Sequence, residues 1–176
     1  MEKFNGKYRI PTARWAAWNY GSNGAYFVTI CTANHAHYFG KITNNEMVPT
    51  PLGQAAVDFW NEIPAHFPFV VLDAFVVMPN HVHGIIIIDK SVDTVETQDL
   101  ASLPTGNRFG PQSRNLASIV RGYKIGITKY ARQNNAPFIW QERYYDHIIR
   151  SPDEHELVWQ YILANPLTWA EDKFYC

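Results

Sequence analysis

Apolar and polar residues follow one another along the chain in patterns that predict both strands and helices. β-Branched and aromatic residues fill 25–32, 70–77 and 81–88, and each of these runs is typical of a strand. Four consecutive isoleucines close the third run, which predicts a strand that is covered on both faces and is central in its sheet. Two shorter segments, 38–42 and 46–48, flank a pair of asparagines and predict a hairpin.

Three other segments have the apolar spacing of amphipathic helices. The first predicted helix spans 50–63 and the second spans 114–132. The third begins after Ser151, because serine, proline and glutamate follow in the order typical of a helix N-terminus, and it ends before Pro166. A further strand is predicted over 144–150. We therefore expect an α+β protein with an antiparallel sheet and three main helices.

Two segments lack this periodicity. Residues 1–24 form an irregular arm, with basic and aromatic residues that either pack over an edge of the core or lie on a nucleic acid. Residues 89–112 are rich in Asp, Thr, Ser, Gly, Pro and Gln, which predicts a long surface loop. We interpret the loop as an insertion in a single domain, residues 1–176, because the elements on both sides are needed for one core.

Composition narrows the choice of compartment and partner. The chain has 176 residues and a formal net charge of -1, so a nucleic-acid surface must come from local clusters of basic residues. The cysteines, Cys31 and Cys176, lack the spacing of a disulfide framework or zinc site, and we expect free thiols in a reducing compartment. We find neither a signal-peptide pattern nor a membrane span, and we expect a cytoplasmic protein.

A histidine pair opens the isoleucine-rich strand. His81 and His83 are two residues apart, so in a strand their imidazoles point to the same face and could share one divalent metal. The alternative is that both are polar residues at the mouth of a buried strand. A second pair, His35 and His37, lies in a predicted turn, where the rings have no fixed relative geometry, and we interpret it as an exposed loop.

The third helix carries further candidate residues. Tyr161 and Asn165 are four residues apart and lie on one helix face. A metal that is held by two histidines and an amide oxygen could polarise a phosphate while a tyrosine oxygen attacks it. We expect the competing tyrosines to serve in packing: Tyr123, Tyr130, Tyr144 and Tyr145. Of the remaining histidines, His147 could support a metal ligand through a hydrogen bond, and we expect His155 to face solvent.

Basic residues cluster on the second predicted helix, which contains no acidic residue. This helix is a candidate surface for nucleic-acid phosphates, although a solvated polar face remains the alternative. Arg14 in the N-terminal arm is a further candidate contact. The candidate residues on the helix are Arg114, Arg121, Lys124, Lys129 and Arg132.

Three blocks of residues together resemble a known family. They are Met78-Pro-Asn-His-Val-His83, Trp140-Gln-Glu-Arg143 with Tyr145-Asp-His-Ile-Ile149, and Gln160-Tyr-Ile-Leu-Ala-Asn-Pro166. In this order they are similar to the REP-associated tyrosine transposases, a branch of the single-tyrosine HUH (His-hydrophobe-His, insertion-sequence-type) transposases. The similarity extends over residues 9–172, and the combination is more specific than any one block. The loop at 89–112 is larger than expected of this family.

The resemblance implies a fold and an activity. The implied fold is the HUH nuclease fold, a ferredoxin-like antiparallel sheet of four to five strands with three main helices. The implied reaction is Mg²⁺- or Mn²⁺-dependent cleavage of single-stranded DNA with repetitive palindromic hairpins, which leaves a free 3′-hydroxyl and a 5′-phosphotyrosine. By position, Tyr161 matches the nucleophile, and His81, His83 and Asn165 match the metal ligands.

Three hypotheses follow from the sequence. The first is a transposase that cleaves and rejoins single strands. The second is a non-catalytic regulator that binds hairpins of DNA or messenger RNA on the same fold, and the third is a metal phosphodiesterase that uses activated water. The sequence leaves a monomer and a homodimer equally open, and none of the three hypotheses involves a membrane.

Overall fold

The computed structural model describes residues 18–91 and 113–175, together with the backbone of β1 (Lys3–Phe4) and β2 (Lys7–Tyr8). These two short strands pair with each other, so the predicted irregular arm contains some regular structure. The rest of the arm before residue 18, including Arg14, lies outside the described residues. The same holds for residues 92–112 of the predicted loop.

The described part of the chain contains both strands and helices. In order, the elements are β3 (Gly24–Cys31), β4 (Gly40–Thr43), β5 (Glu46–Pro49), α1 (Pro51–Asn61), α2 (Ile63–His66), β6 (Val70–Val77), β7 (His81–Ile88), α3 (Leu116–Gln133), β8 (Tyr145–Ile149) and α4 (Pro152–Ala164). The β4–β5 hairpin forms its own two-stranded sheet, as the asparagine-centred pattern predicts.

The main sheet has four antiparallel strands in the order β6-β7-β3-β8. With α1 and α3 between the strands, the chain order is the β-α-β-β-α-β arrangement of ferredoxin-like folds. The isoleucine-rich β7 is central, as its composition predicts. Strand β8 follows the segment 92–112 and still pairs with β3, so elements on both sides of that segment build one sheet. The predicted α+β fold is confirmed.

Helices α1 and α3 cover one face of the sheet. Trp60 of α1 stacks on Phe75 of β6 with ring centroids 5.6 Å apart, and Tyr123 of α3 donates its hydroxyl to Ala56 O at 3.0 Å. Gly84 of β7 lies directly under the indole, because a Cβ at this position would be 2.2 Å from Trp60 Cζ2. The close approach of α1 to the sheet therefore requires glycine here.

Helix α4 packs on the opposite face, and Ile162 is its only buried residue. Ile162 contacts a small cluster that includes Phe27 and Ile85. Two histidine–carboxylate pairs also fasten α4. His155 Nε2 is 2.7 Å from Asp73 Oδ2 on β6, and His147 Nε2 of β8 is 2.6 Å from Glu154 Oε1. The helix that carries Tyr161 is thus held by little buried apolar surface.

Two helix boundaries differ from the predictions. Helix α1 ends at Asn61, and the short α2 follows with Pro64 in its first turn, where a missing N–H costs nothing. Helix α3 begins at Leu116, because Asn115 and Ser118 form a reciprocal capping box. Arg114 has a left-handed φ of 63° and precedes the helix. Within the described ranges, no helix is both long and apolar enough to cross a membrane.

Candidate functional site

The two histidines of β7 lie side by side on the face that α4 covers. His81 pairs in register with Cys31, and His83 with Thr29, on the neighbouring strand β3. Residues two apart on a strand face the same side, so both imidazoles point toward α4. Their ring centroids are 4.4 Å apart, and both residues are fully buried. The His-x-His spacing therefore produces the paired imidazoles that the sequence predicts.

Each imidazole is held through its Nδ1 atom. His81 Nδ1 is 2.8 Å from Asn80 Oδ1, and His83 Nδ1 is 2.8 Å from Thr29 Oγ1. His83 Nε2 is 3.2 Å from Tyr161 Oη. His81 Nε2 is buried and has no hydrogen-bond partner among the residues that the structure describes. The Nε2 atoms are therefore the ones that can meet groups from α4 or a ligand.

Burial keeps both imidazoles neutral. It lowers the pKa of His81 to about 4, against the opposing effects of the Asp172 carboxylate and of Asn165. Burial and the neighbouring His81 lower the pKa of His83 well below its ordinary value. The ring of Phe174 covers His81 with centroids 4.7 Å apart. A neutral imidazole has the free lone pair with which histidine binds a metal.

Helix α4 brings Tyr161 and Asn165 to the histidines. The Tyr161 hydroxyl contacts His83, yet the residue is 40% exposed, so the phenol is also open to solvent. Burial first, and then the nearby Asp172 carboxylate, raise the pKa of Tyr161 to about 12. Asn165 is 1% exposed, and its Oδ1 atom lacks a hydrogen-bond partner within the described ranges. The four predicted site residues therefore lie together.

Asp172, which the sequence does not predict, adds a carboxylate to this cluster. It follows a short 3₁₀ helix, Trp169–Glu171, that folds the C-terminal segment back over the site. Asp172 Oδ2 accepts hydrogen bonds from Asn165 Nδ2 at 2.7 Å and from Tyr161 Oη at 3.5 Å. One possible ligand atom from each of His81, His83 and Asp172 lies within 4.8 Å of the other two.

Three contributing residues escape prediction for different reasons. Asp172 lies beyond Pro166, outside any periodic element, and no pattern marks it. Thr29 could be found only from the register of β3 against β7. Asn80 directly precedes His81, and its place beside the His-x-His motif is the signal in the sequence that points to it.

The donor atoms of the cluster fit a divalent metal. Among the residues that the structure describes, no hydrogen-bond partner meets the buried atoms His81 Nε2 and Asn165 Oδ1, which is costly unless a ligand satisfies them. Imidazole nitrogens suit transition metals, whereas amide and carboxylate oxygens suit Mg²⁺ and Mn²⁺. His81, His83, Asn165 and Asp172 together could therefore hold such an ion.

A cavity of about 420 Å³ opens beside the Tyr161 phenol. Asp172 and Lys173 form part of its lining. Lys173 Nζ lies 4.8 Å from the centroid of the Phe174 ring and 5.8 Å from that of Tyr145. The lining thus carries one cation, Lys173, against two carboxylates, those of Glu171 and Asp172.

Four of the predicted basic residues line a groove along α3, on the opposite face of the sheet from Tyr161. The groove has a volume of about 920 Å³. Its apolar lining includes Tyr144 and Ile125, which is 58% exposed. The basic residues in its lining are Arg121, Lys124, Lys129 and Arg132.

Two of the five basic candidates, Lys124 and Arg114, differ from the other three in their contacts. Lys124 Nζ donates a hydrogen bond to Gln141 O at 2.7 Å and lies 5.4 Å from the centroid of the Trp140 ring, so it is already engaged. Arg114 does not line the groove, and its guanidinium lies 5.2 Å from the centroid of the Phe69 ring. Four of the five candidates therefore line the groove, and one of these four, Lys124, is already engaged.

The remaining histidines differ in part from the predictions. The ring of His35 stacks on that of Phe174 with centroids 5.8 Å apart, and the residue is half-buried. His37 is exposed, as predicted, and its ring meets that of Trp169 at 5.8 Å. The expectation that His155 faces solvent is wrong, because it pairs with Asp73. His147 pairs with Glu154 and not with a residue of the metal cluster.

Comparison with known proteins agrees with this architecture. No protein-family model matches the chain. An uncharacterized protein of Haemophilus influenzae is 39% identical over 175 residues, and the match spans 98% of this chain and 97% of that protein. A solved structure of a REP-associated tyrosine transposase bound to a REP hairpin matches with a TM-score of 0.62 at 19% identity, over 94% of this chain and 77% of that chain. The chain therefore belongs to the same family as the Haemophilus influenzae protein and has the fold of a REP-associated tyrosine transposase.

Proposed function

We propose that this chain is a metal-dependent endonuclease and strand transferase that acts on single-stranded DNA with hairpins through Tyr161. The observation that carries the proposal is the 3.2 Å contact between Tyr161 Oη and His83 Nε2, inside a cluster with metal-binding donors. The fold shared with a transposase bound to a REP hairpin supports the choice of substrate.

The proposed reaction is a transesterification. The Tyr161 oxygen attacks the phosphorus of a phosphodiester, and the bond from phosphorus to the 3′-oxygen breaks. The phenol loses one proton and the departing oxygen gains one, so the products are a 5′-phosphotyrosine and a free 3′-hydroxyl, and no water is consumed. Attack by a 3′-hydroxyl on the phosphotyrosine reverses the step and joins strands.

The residues around Tyr161 have separate tasks in this proposal. His81, His83, Asn165 and Asp172 would hold a divalent cation, Mg²⁺ or Mn²⁺. When bound, the cation supplies positive charge that polarises the phosphate and favours the phenolate. Because the pKa of Tyr161 is raised to about 12, the phenol is protonated at neutral pH and needs such help. Lys173 at the cavity wall would contact the phosphate, and the cation would offset the opposing charges of Glu171 and Asp172.

We assign the groove along α3 to DNA binding. Arg121, Lys129 and Arg132 offer cations for phosphates, and the exposed Ile125 and the half-buried Tyr144 offer apolar surface for bases. This combination of cationic and apolar lining suits a strand with unpaired bases as well as the backbone of a hairpin stem. Arg114 remains a candidate contact outside the groove, and Arg14, which lies outside the described residues, remains a candidate from the sequence.

The decisive experiment replaces Tyr161 with phenylalanine. Labelled single-stranded DNA from the flanks of the gene is incubated with Mn²⁺ and the protein, and covalent adducts are resolved on denaturing gels. Tyr161→Phe removes only the hydroxyl, so we expect loss of the adduct with hairpin binding nearly unchanged. Tyr145→Phe is the matched control, because this half-exposed tyrosine lies on the same face near Phe27 and Lys173.

The reaction products distinguish this proposal from the two alternatives, a metal phosphodiesterase and a non-catalytic regulator. An adduct that persists in Tyr161→Phe contradicts the assignment of the nucleophile. Cleavage by the unaltered protein with no attached strand indicates attack by water, and hairpin binding without cleavage in any divalent metal indicates a non-catalytic regulator.

A further inference from the structure

Asn80 occupies a fully buried position in the turn between β6 and β7. Its side-chain Nδ2 donates to His35 O at 3.1 Å and to Phe174 O at 2.8 Å. Its Oδ1 lies 2.8 Å from His81 Nδ1. One side chain therefore connects a candidate metal ligand with two backbone segments that are distant in sequence.

These contacts fix which way the amide of Asn80 points. The carbonyl oxygens of His35 and Phe174 can only accept hydrogen bonds, so the NH₂ group must face them. The Oδ1 atom of Asn80 then faces the imidazole of His81, and an amide oxygen can only accept. His81 must therefore donate through Nδ1, which leaves the lone pair of the neutral ring on Nε2.

We propose that Asn80 is a positioning residue that holds His81 as the Nδ1–H tautomer and so presents the Nε2 lone pair to a metal. This inference rests on the proposed metal-dependent function. Histidine ligands usually donate their second ring nitrogen to a fixed acceptor, which sets the tautomer and the ring orientation. Asn80 supplies that acceptor for His81, and it does so before any metal binds.

The hydrogen bond to Phe174 extends the role of Asn80 to a second ligand. Phe174 is two residues beyond Asp172, and Phe174 N donates to Asp172 Oδ1 at 2.7 Å. The Asn80 amide thus fixes the backbone of the segment that presents the Asp172 carboxylate as well as the ring of His81. Loss of the amide affects two of the candidate ligands at once.

The test uses two substitutions at Asn80 and one control in the full-length chain. Asn80→Ala removes both the acceptor and the donors, whereas Asn80→Asp keeps an acceptor for His81 Nδ1–H and loses the donors. Asn115→Ala is the control, because Asn115 is also buried and structural but caps α3, away from the histidines. Long-range proton–nitrogen NMR spectra of the metal-free protein report the His81 tautomer, and calorimetric titration with Mn²⁺ reports affinity.

We expect the Nδ1–H tautomer in the unaltered chain, in Asn80→Asp and in Asn115→Ala, and a shift toward Nε2–H in Asn80→Ala. Mn²⁺ affinity should fall about 10- to 100-fold in Asn80→Ala, a loss typical of removing a residue that orients a ligand. An Nε2–H tautomer in the unaltered chain would overturn the proposal without any variant. Equal tautomers and affinities in Asn80→Ala and Asn115→Ala would overturn it too.

The readouts separate this inference from the proposed function. The tautomer of His81 is measured without metal or DNA, so its result does not depend on whether the Tyr161 adduct forms. If Mn²⁺ binds and Asn80 controls the tautomer while no adduct forms, the strand-transfer proposal fails and the role of Asn80 remains.

Discussion

Ile162 is the residue on which the position of Tyr161 depends most. It is the only buried side chain of α4, and it packs against Phe27 and Ile85 on the face that carries the histidines. The two histidine–carboxylate pairs that also hold α4 are partly exposed, and solvent screening leaves such pairs with little stabilising effect. We therefore expect Ile162→Ala to release α4 before the rest of the fold.

The magnitude follows from the groups removed. Truncation of a buried isoleucine to alanine loses about 2.4 kcal/mol of burial at ~0.8 kcal/mol per methylene, and the cavity left behind brings the range to roughly 2–5 kcal/mol. Since ~1.4 kcal/mol is a factor of ten in an equilibrium, the undocked fraction of α4 should rise roughly 30-fold to several thousand-fold. The ion pairs and capping hydrogen bonds at the ends of α4 contribute too little stability to offset this loss.

Hydrogen exchange measures this release directly. Ile86→Ala is the matched control, because Ile86 is equally buried on the same strand as Ile85 but faces α1 and α3. Both variants should lose similar stability in urea, and only Ile162→Ala should show fast exchange confined to α4 together with weaker adduct formation. If α4 amides exchange at the same rate in both variants, contacts other than Ile162 hold the helix and the reasoning is refuted.

Two further predictions concern the start of α4 and the groove. Glu154→Gln should destabilise the protein at neutral pH, because backbone N–H of Arg150 and then His147 lower the pKa of Glu154 below its ordinary value of 4.5. Urea titrations measure the free energy of unfolding of both proteins, and their difference should disappear as the pH falls through that lowered pKa. A difference that stays the same at every pH would contradict this prediction. Arg121→Ala with Arg132→Ala should weaken hairpin binding and reduce the salt slope by about 0.7–0.9 per lost phosphate contact, and an unchanged slope would exclude the groove.

Local patterns predict the parts of the site that depend on one element. The period of two on β7 determines that both histidines face one side, and the helical period determines that Tyr161 and Asn165 do. The start of α4 is also predictable, since Ser151 accepts a hydrogen bond from Glu154 N at 3.1 Å as the serine-to-glutamate spacing implies. The predicted start of α3 lies two residues before the observed one, although Asn115 and Ser118 are residues typical of a helix N-cap and its capping box.

Contacts between distant segments could not be predicted. Asn80 meets Phe174 across 94 residues, and His155 meets Asp73 across 82 residues, and both depend on how separate elements pack. Asp73 lies in a bulge between Leu72 and Phe75 of β6, where two residues oppose one on β7. A bulge re-aims a side chain in a way that period-two alternation cannot anticipate, so the sequence could not predict the pairing of Asp73 with His155.

Because side chains alternate between the two faces of β7, the register of β7 against β3 decides which face carries the histidines. Pairing that slipped by one position against β3 would rotate His81 and His83 under Trp60 and turn Val82 toward Tyr161. Such a chain could still collapse around its isoleucines, but it would have no ligands beneath the phenol. For the proposed reaction, the alignment of β7 against β3 is therefore as necessary as the ligands themselves, and a compact yet misaligned form would be inactive.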